Sequence, residues 1–348
     1  TLREPHTHRS NTPTQKININ HLEYMNIEQL HKEWFAYKSQ RIKPSSLATY
    51  ENAYVVYVLP YFAKYDMMQG VNNKQMNAFV DYLIQEKGLS RKSAQDCKIV
   101  LGNMLKFGSS EHDIPSFTYN IEYPTKNMEQ ARTLRFFNKE QCKKVFAEMD
   151  KDPSSELLGM VLGLTTGMRI GELVGLRFSD CDMQEKTITV NRTIERIHTT
   201  RGTENIDLTG IEVISQANNS AVVANPPKTA TSHRTCPLSS LPLKWIKLYS
   251  KTNPGDRYII GLGKKPIEPR TYRNWYYQEL EHLGLPKLNP HCMRHTFATQ
   301  MLHSGVDPAT TASILGHSSP AITLEIYSHT NEDEKKKQVN AVFGKMFR

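Results

Sequence analysis

PHCMRHTFATQMLHSGVDPATTASILGHSSPAITLEIY, residues 290–327, is punctuated as three successive helices. Pro290 precedes the first, and Gly305 is placed to cap its end. Asp307 offers a side-chain cap to the second, and Pro308 takes the first helical position, where its missing N–H costs nothing. Gly316 stops that helix, and His317 follows at once. Ser319-Pro320 then opens a short helix that carries Tyr327 about two turns onward. In the first helix His291 and Arg294 are three residues apart, so they share one face near an N-terminus whose backbone N–H groups favour an anion. Taken singly these signals are weak: HxxR pairs are commonly solvated, and a tyrosine on such a helix is more often a core or interface residue.

Upstream, TTGMRIGELVGL (165–176) places Arg169 just after the turn made by Gly167, with Glu172 three residues later. The bland reading is a surface ion pair. Lys228 lies in NPPKTATSHRTCPLS (225–239), where a β-turn exposes a flexible ammonium; most turn lysines do nothing specific. Around these, Asn138 caps a helix beginning KEQCKKVFAEM, LLGMVLGLTTG reads as a buried helix ended by Gly167, and IGELVGL reads as another short helix. KTITV and TSHRTCPLS are strand-like. The intervening segment, about 198–226, contains IEVISQ and AVVAN and reads as an enlarged hairpin or sheet insertion. Helical patterning returns after Leu241. The whole predicts a mostly α second domain with one small antiparallel sheet.

The first part of the chain is patterned differently. Residues 1 to about 20, rich in Thr, His, Asn and Pro, read as a flexible tail. IEQLHKEWFAYKSQ then sets Leu30, Trp34 and Tyr37 on one helical face behind Asn26. A second helix follows Pro44-Ser45 with Tyr50, Tyr54, Val55 and Val58 as its stripe, and a third covers about 73–87 to Gly88. The fourth runs from Ser90 through Ala94, Cys97, Leu101, Met104 and Leu105 to Gly108 as its cap. From His112 to about Arg135, with Pro115, Pro124, Lys126 and Arg132, the chain reads as an extended linker whose cations either follow a phosphate backbone or are simply solvated. No internal repeat is present.

The 348 residues, 38% hydrophobic, are enough for two cores. A formal charge of +9 and a pI near 9.1 attract polyanions, nucleic acid first, although an ordinary basic enzyme fits the charge equally well. Cys97, Cys142, Cys181, Cys236 and Cys292 lack the spacing of a disulfide framework or a zinc cluster, which suits a reducing cytoplasm. No apolar run reaches the roughly 20 residues of a membrane span, and the polar first residues do not resemble a secretory signal. A soluble cytoplasmic protein is expected. The chain begins at Thr1, which leaves open an arm-binding module ahead of it.

In their order and spacing Arg169, Glu172, Lys228, the HxxR of 291–294, LGH at 315–317 and Tyr327 resemble the catalytic signature of the tyrosine recombinase, or phage-type integrase, family. Closest in appearance are the integrases of phages and conjugative transposons, from whose simpler two-domain relatives the extra residues around 198–226 depart. The resemblance implies a mostly α fold with a small antiparallel sheet: a helical core-site-binding domain (23–112) after the tail (1–22), a linker (113–135), a catalytic domain (136–332) and a C-terminal segment (333–348) that docks on a neighbouring protomer or on its own domain. It further implies that Tyr327 attacks DNA to give a 3′-phosphotyrosine, that Arg169, Arg294 and His317 bind the phosphate, that His291 acts as base or orienting group, that Lys228 protonates the leaving 5′ oxygen, and that Glu172 orients His291 or Arg169. No cofactor and no metal are implied. The expected partners are double-stranded recombination sites, a homo-tetramer on DNA, and accessory bending or directionality proteins, with the protein at the bacterial nucleoid when bound. Two rivals are a type IB topoisomerase with the same chemistry and a regulator that has lost catalysis.

Overall fold

The computed structural model describes residues 25–124, 135–202, 206–227 and 233–327, and of 325–327 the backbone only. The tail, the C-terminal segment, Lys126, Arg132 and Lys228 therefore lie outside the described residues. The chain divides into two compact units, residues 1–41 with 52–128, and 42–51 with 129–348.

In the first unit, α1 (Ile27–Ser39) starts at a capping box: Asn26 Oδ1 accepts from the Gln29 N–H at 2.9 Å, and the Gln29 side chain accepts from the Asn26 N–H at 3.0 Å. The same device at Asn72 and Gln75 opens α4 (Asn73–Asp81). Between them in the chain comes α2 (Pro44–Ala53), of which residues 44–51 count with the second unit, followed by a π-helical turn, Tyr54–Val58, and α3 (Leu59–Phe62). After a second π-helical turn, Tyr82–Glu86, comes α5 (Arg91–Glu111). Leu30, Trp34, Tyr54, Phe62, Phe79, Leu83, Leu101 and Met104 are buried.

Two sequence readings need correction here. Tyr37 is 40% exposed and not on the buried face; its ring instead carries the Arg41 guanidinium 3.8 Å from its centroid. Gly108 does not stop α5, which runs on to Glu111. A Cβ there would lie 2.6 Å from Ile114 Cδ1 and 3.0 Å from Leu30 Cδ1, so the glycine serves close packing. Residues 113–124 are extended, as read, but pinned to the first unit: Tyr119 Oη donates to the Val71 carbonyl, and Asn77 bonds both Asn120 and Glu122.

The second unit begins with α6 (Lys139–Lys151), opened by an Asn138–Gln141 capping box, and the buried α7 (Ser155–Thr166). The next helix, α8, is a single turn (Ile170–Leu173), shorter than expected: the following N–H groups turn to i−3 carbonyls, Gly175 to Glu172 and Leu176 to Leu173. Strands β1 (Cys181–Asp182), β2 (Thr187–Thr189) and β6 (Thr235–Pro237) form an antiparallel sheet in the order β1-β2-β6, with Ile188 opposite Cys236. The insertion builds a second antiparallel sheet where only one was expected: β3 (Thr193–His198), β5 (Ser220–Asn225) and β4 (Glu212–Ala217), in the order β3-β5-β4. Then follow α9 (Ser240–Thr252), α10 (Pro269–His282), α11 (His291–His303), α12 (Pro308–Leu315) and α13 (Pro320–Tyr327).

Helix α7 is the axis of this unit. At Gly163 a Cβ would lie 2.8 Å from Met293 Sδ of α11, and at Gly159 it would collide with Tyr272 of α10, so two glycines one turn apart let both helices close on α7. Gly167 ends the helix in the left-handed region, φ 66°, where a Cβ would also lie 2.5 Å from Leu315 and 2.7 Å from Phe297. Gly167→Ala combines left-handed strain with overpacking, expected to cost about 2–4 kcal/mol. A thermal melt should show the midpoint down by roughly 5–10 °C; an unchanged midpoint would mean that the turn relaxes freely.

Candidate active site

The turn after Gly167 presents Arg169. Its backbone N–H donates to Glu172 Oε2 at 2.9 Å and its Nη1 to Oε1 at 2.9 Å. The Glu172 carboxylate is buried, so it must be fully paired. The remaining bonds come from Arg234, Nη2 to Oε2 at 2.9 Å and Nη1 to Oε1 at 3.2 Å. Burial alone would raise the carboxyl pKa, but the hydrogen bonds and charge of Arg234, then of Arg169, hold it below the usual range. The carboxylate is thus bonded to Arg169 and Arg234, with no hydrogen bond to His291 among the described residues. Arg234 was missed by sequence reasoning. Period-2 alternation around the buried Cys236 would have placed its side chain inside and so marked it out.

Helix α11 delivers the next groups from its first turn. Arg294 is 2% exposed; its Nη1 donates to the Gly167 carbonyl at 2.9 Å, and its Nη2 is buried without a partner among the described residues. Burial and the fields of Arg169 and Arg234, opposed by Glu172, push its pKa down to about 9, which leaves it a full cation at neutral pH. His291 reaches the surface and stands edge-to-face with His295, the ring centroids 4.7 Å apart. His317, immediately after the left-handed Gly316, shares a 2.8 Å hydrogen bond between Nδ1 and Oγ1 of the fully buried Thr323. Neither His295 nor Thr323 stood out in the sequence.

Both His291 and His317 are held down at about 4. For His291 the causes are desolvation, then His295, Arg294 and Arg169; for His317 they are desolvation, then Arg294, Arg169, His291 and Arg234. These side chains feel one another's charge, so Arg169, Glu172, His291, Arg294 and His317 form one cluster. Beside it opens a cleft of about 570 Å³ whose walls include Arg169, Glu172, His317, Ile322 and Thr193–Arg196 of β3. Helix α13 starts three residues after His317, packs on α11 and α12, and ends at Tyr327, whose side chain lies outside the described residues. The arrangement suits a multiply bonded oxyanion: two guanidiniums beside one carboxylate that Arg234 already pairs, one of them with a buried donor unpartnered among the described residues, flanked by imidazoles that are neutral at pH 7.

The depressed histidines set an acid limit on stability. A folded-state pKa near 4 lies below the unfolded value near 6.5, so their contribution is complete above pH 6.5 and is lost as pH falls towards 4, where the unfolded chain binds more protons. Denaturant melts from pH 7 to 4.5 should show this decline, and His317→Asn should remove from it the uptake of about one proton. An unchanged pH slope in that variant would rule His317 out as a contributor.

Among the described residues no three His, Cys, Asp or Glu side chains are grouped as metal ligands, and no helix is long and apolar enough to cross a membrane. The phage integrase N-terminal SAM-like domain model matches residues 26–83. Over 324 residues the chain is 25% identical to a XerC-like tyrosine recombinase of Caldanaerobacter subterraneus subsp. tengcongensis, covering 86% of this chain and 78% of that one. It is 24% identical over 204 residues to the transposase of transposon Tn916 from Enterococcus faecalis, covering 54% of this chain and 45% of that one. Its fold is similar to that of the Tn1549 transposon integrase, solved with circular-intermediate DNA (TM-score 0.69, 19% identity, 91% of this chain and 99% of that one). It is also similar to lambda integrase, solved as a tetramer on a Holliday junction (TM-score 0.58, 16% identity, 87% and 78%). The phage integrase family model spans residues 135–334, more than half of the sequence and all of the candidate site, and the chain belongs to that family, the tyrosine recombinases.

Proposed function

We propose that this protein is a site-specific DNA recombinase that cuts and rejoins strands through a 3′-phosphotyrosine at Tyr327 and so integrates or excises a mobile element. The observation that carries the reading is Arg294, a buried cation whose Nη2 has no partner among the described residues and which lies in the field of Arg169. An unpaired buried donor of this kind is costly unless a ligand completes it, and a scissile phosphodiester has the required charge and oxygens.

In the proposed reaction Arg169, Arg294 and His317 bind the non-bridging oxygens and take up the charge that develops on them. Tyr327 Oη attacks phosphorus and forms the P–O bond as the bond to the 5′ oxygen breaks. The phenol proton passes to His291, whose ring is neutral in the free site and gains basicity once the anionic phosphate offsets the neighbouring guanidiniums. Lys228, on the segment that joins β5 to β6, gives a proton to the departing 5′ oxygen. Glu172 holds Arg169. Because the phosphotyrosine keeps the energy of the broken bond, a 5′-hydroxyl from another strand reverses the step, releases Tyr327 and needs neither ATP nor a metal ion.

The helical unit, 23–112, carries the core-site contacts and 136–332 the chemistry, joined by 113–135. Exchange between two duplexes requires a homo-tetramer on DNA, with accessory bending or directionality proteins choosing the outcome, in the cytoplasm of a bacterial cell. The test is covalent capture: the full-length protein is incubated in EDTA with a randomised pool of nicked duplexes, and DNA that stays attached through denaturing gel electrophoresis is sequenced. A shared core sequence in the captured pool is expected. No adduct with any duplex would overturn the reading.

A further inference from the structure

We propose that Arg234 is a positioning residue for strand transfer, a buried cation that sets Arg169 through Glu172 and sets His317 through the carbonyl of Ile314. This rests on the strand-transfer reading of the site. Arg234 lies at the entry to β6, is 8% exposed, and reaches two other segments of the chain. Its Nη1 and Nη2 grip the two oxygens of Glu172, and its Nε donates to the Ile314 carbonyl at 2.6 Å, three residues before His317. Only a planar fork makes these bonds together; a lysine ammonium at the same place cannot.

Stability alone is a weak reason for such an arrangement, since a buried ion pair is often no better than an apolar pair of the same volume. Charge supplies a stronger one. Glu172 is the carboxylate that faces Arg169, Arg234 and Arg294. While Arg234 holds it, Arg169 and Arg294 together keep most of their positive charge for an incoming phosphate. Without Arg234, the full charge of Glu172 falls on Arg169 and draws its guanidinium back onto the α8 turn. The end of α12 loses its tie at the same time, and His317 loses its fixed place relative to the phosphate.

The experiment uses the full-length protein and a nicked duplex recovered by covalent capture, made with either a normal scissile phosphate or an uncharged methylphosphonate. Arg234→Met is expected to lower single-turnover cleavage of the phosphodiester about 10²-fold, the scale of a small misplacement of a catalytic group, with duplex affinity within about threefold of wild type. On the methylphosphonate, which needs less positive charge, the deficit relative to wild type should shrink to less than about tenfold. Arg234→Lys should fall between Met and wild type on the phosphodiester. An equal deficit on both substrates, or phosphodiester cleavage within about twofold of wild type, would overturn the inference. Should Arg234→Met not fold, the paired variant Glu172→Met with Arg234→Met replaces both buried charges by apolar groups; its cleavage should still be at least about tenfold slow, and wild-type cleavage by it would show that the pair serves folding only. A wild-type protein that forms no adduct removes the functional reading itself, whereas a normal wild-type adduct with an indifferent Arg234→Met removes only this inference.

Discussion

Tyr327→Phe is expected to bind the captured duplex within about threefold of wild type and to form no covalent adduct, a loss of at least about 10⁴-fold in cleavage. The substitution deletes one oxygen and keeps the ring, so the packing of α13 on α11 and α12 is preserved. What disappears is the atom that bonds to phosphorus. Arg169, Arg294, His291 and His317 each have a helix end and partners of their own, as described above. The Phe variant should therefore still occupy the phosphate site and compete with wild type for DNA. The hydroxyls of Ser318, Ser319 and Ser328, close to Tyr327 in sequence, make the control informative. An adduct that persists in Tyr327→Phe would transfer the nucleophile to one of them and remove Tyr327 from the mechanism.

Much of the scaffold was legible because the chain states its helix boundaries locally. Asn26, Asn138 and Asp307 each satisfy the first N–H groups of the helix that follows, and Gly167 and Gly316 each take the left-handed turn that ends one. Such signals lie within four residues of their effect, which is why pattern reading finds them. Gly108 carries the same letter for another reason, the approach of Ile114 and Leu30, and its misreading as a stop follows from that ambiguity. The insertion was visible as two β-rich runs, but its pairing with β3 depends on partners far along the chain.

The site divides in the same way. Arg169, His291, Arg294 and His317 sit at helix starts and turns with a recognisable order, whereas Arg234 acts through partners 62 and 80 residues away. Nothing in TSHRTCPLS announces those partners. His295 and Thr323 escaped notice because histidines and threonines on helices are usually unremarkable, and here only the spatial neighbour gives each a task. Lys228 and the Tyr327 phenol lie outside the described residues, and their roles rest on sequence and chemistry.

Arg294→Met is expected to separate stability from function in opposite directions. In the free protein the guanidinium is buried, repelled by Arg169 and Arg234, and among the described residues satisfied on one side only, by the Gly167 carbonyl. Removing it forfeits one hydrogen bond, about 1 kcal/mol net, but also relieves a desolvated charge whose effective cost is several kcal/mol. A methionine fills much of the same volume. The thermal midpoint should rise by roughly 2–4 °C, the shift that about 1 kcal/mol produces in a unit of this size. Cleavage should meanwhile fall about 10³-fold, the cost of removing an oriented donor from a developing oxyanion. Arg294→Lys should remain about 10²-fold below wild type, because an ammonium cannot hold the Gly167 carbonyl and the phosphate with one planar fork. The sign of the stability change is the sharper measurement. A midpoint that falls while cleavage survives would mean that Arg294 is a structural cation, and the site would lose the group that makes phosphate its ligand; a midpoint that rises while cleavage collapses is what a residue held in readiness for an anion requires, since the fold carries a cost that only the bound substrate offsets.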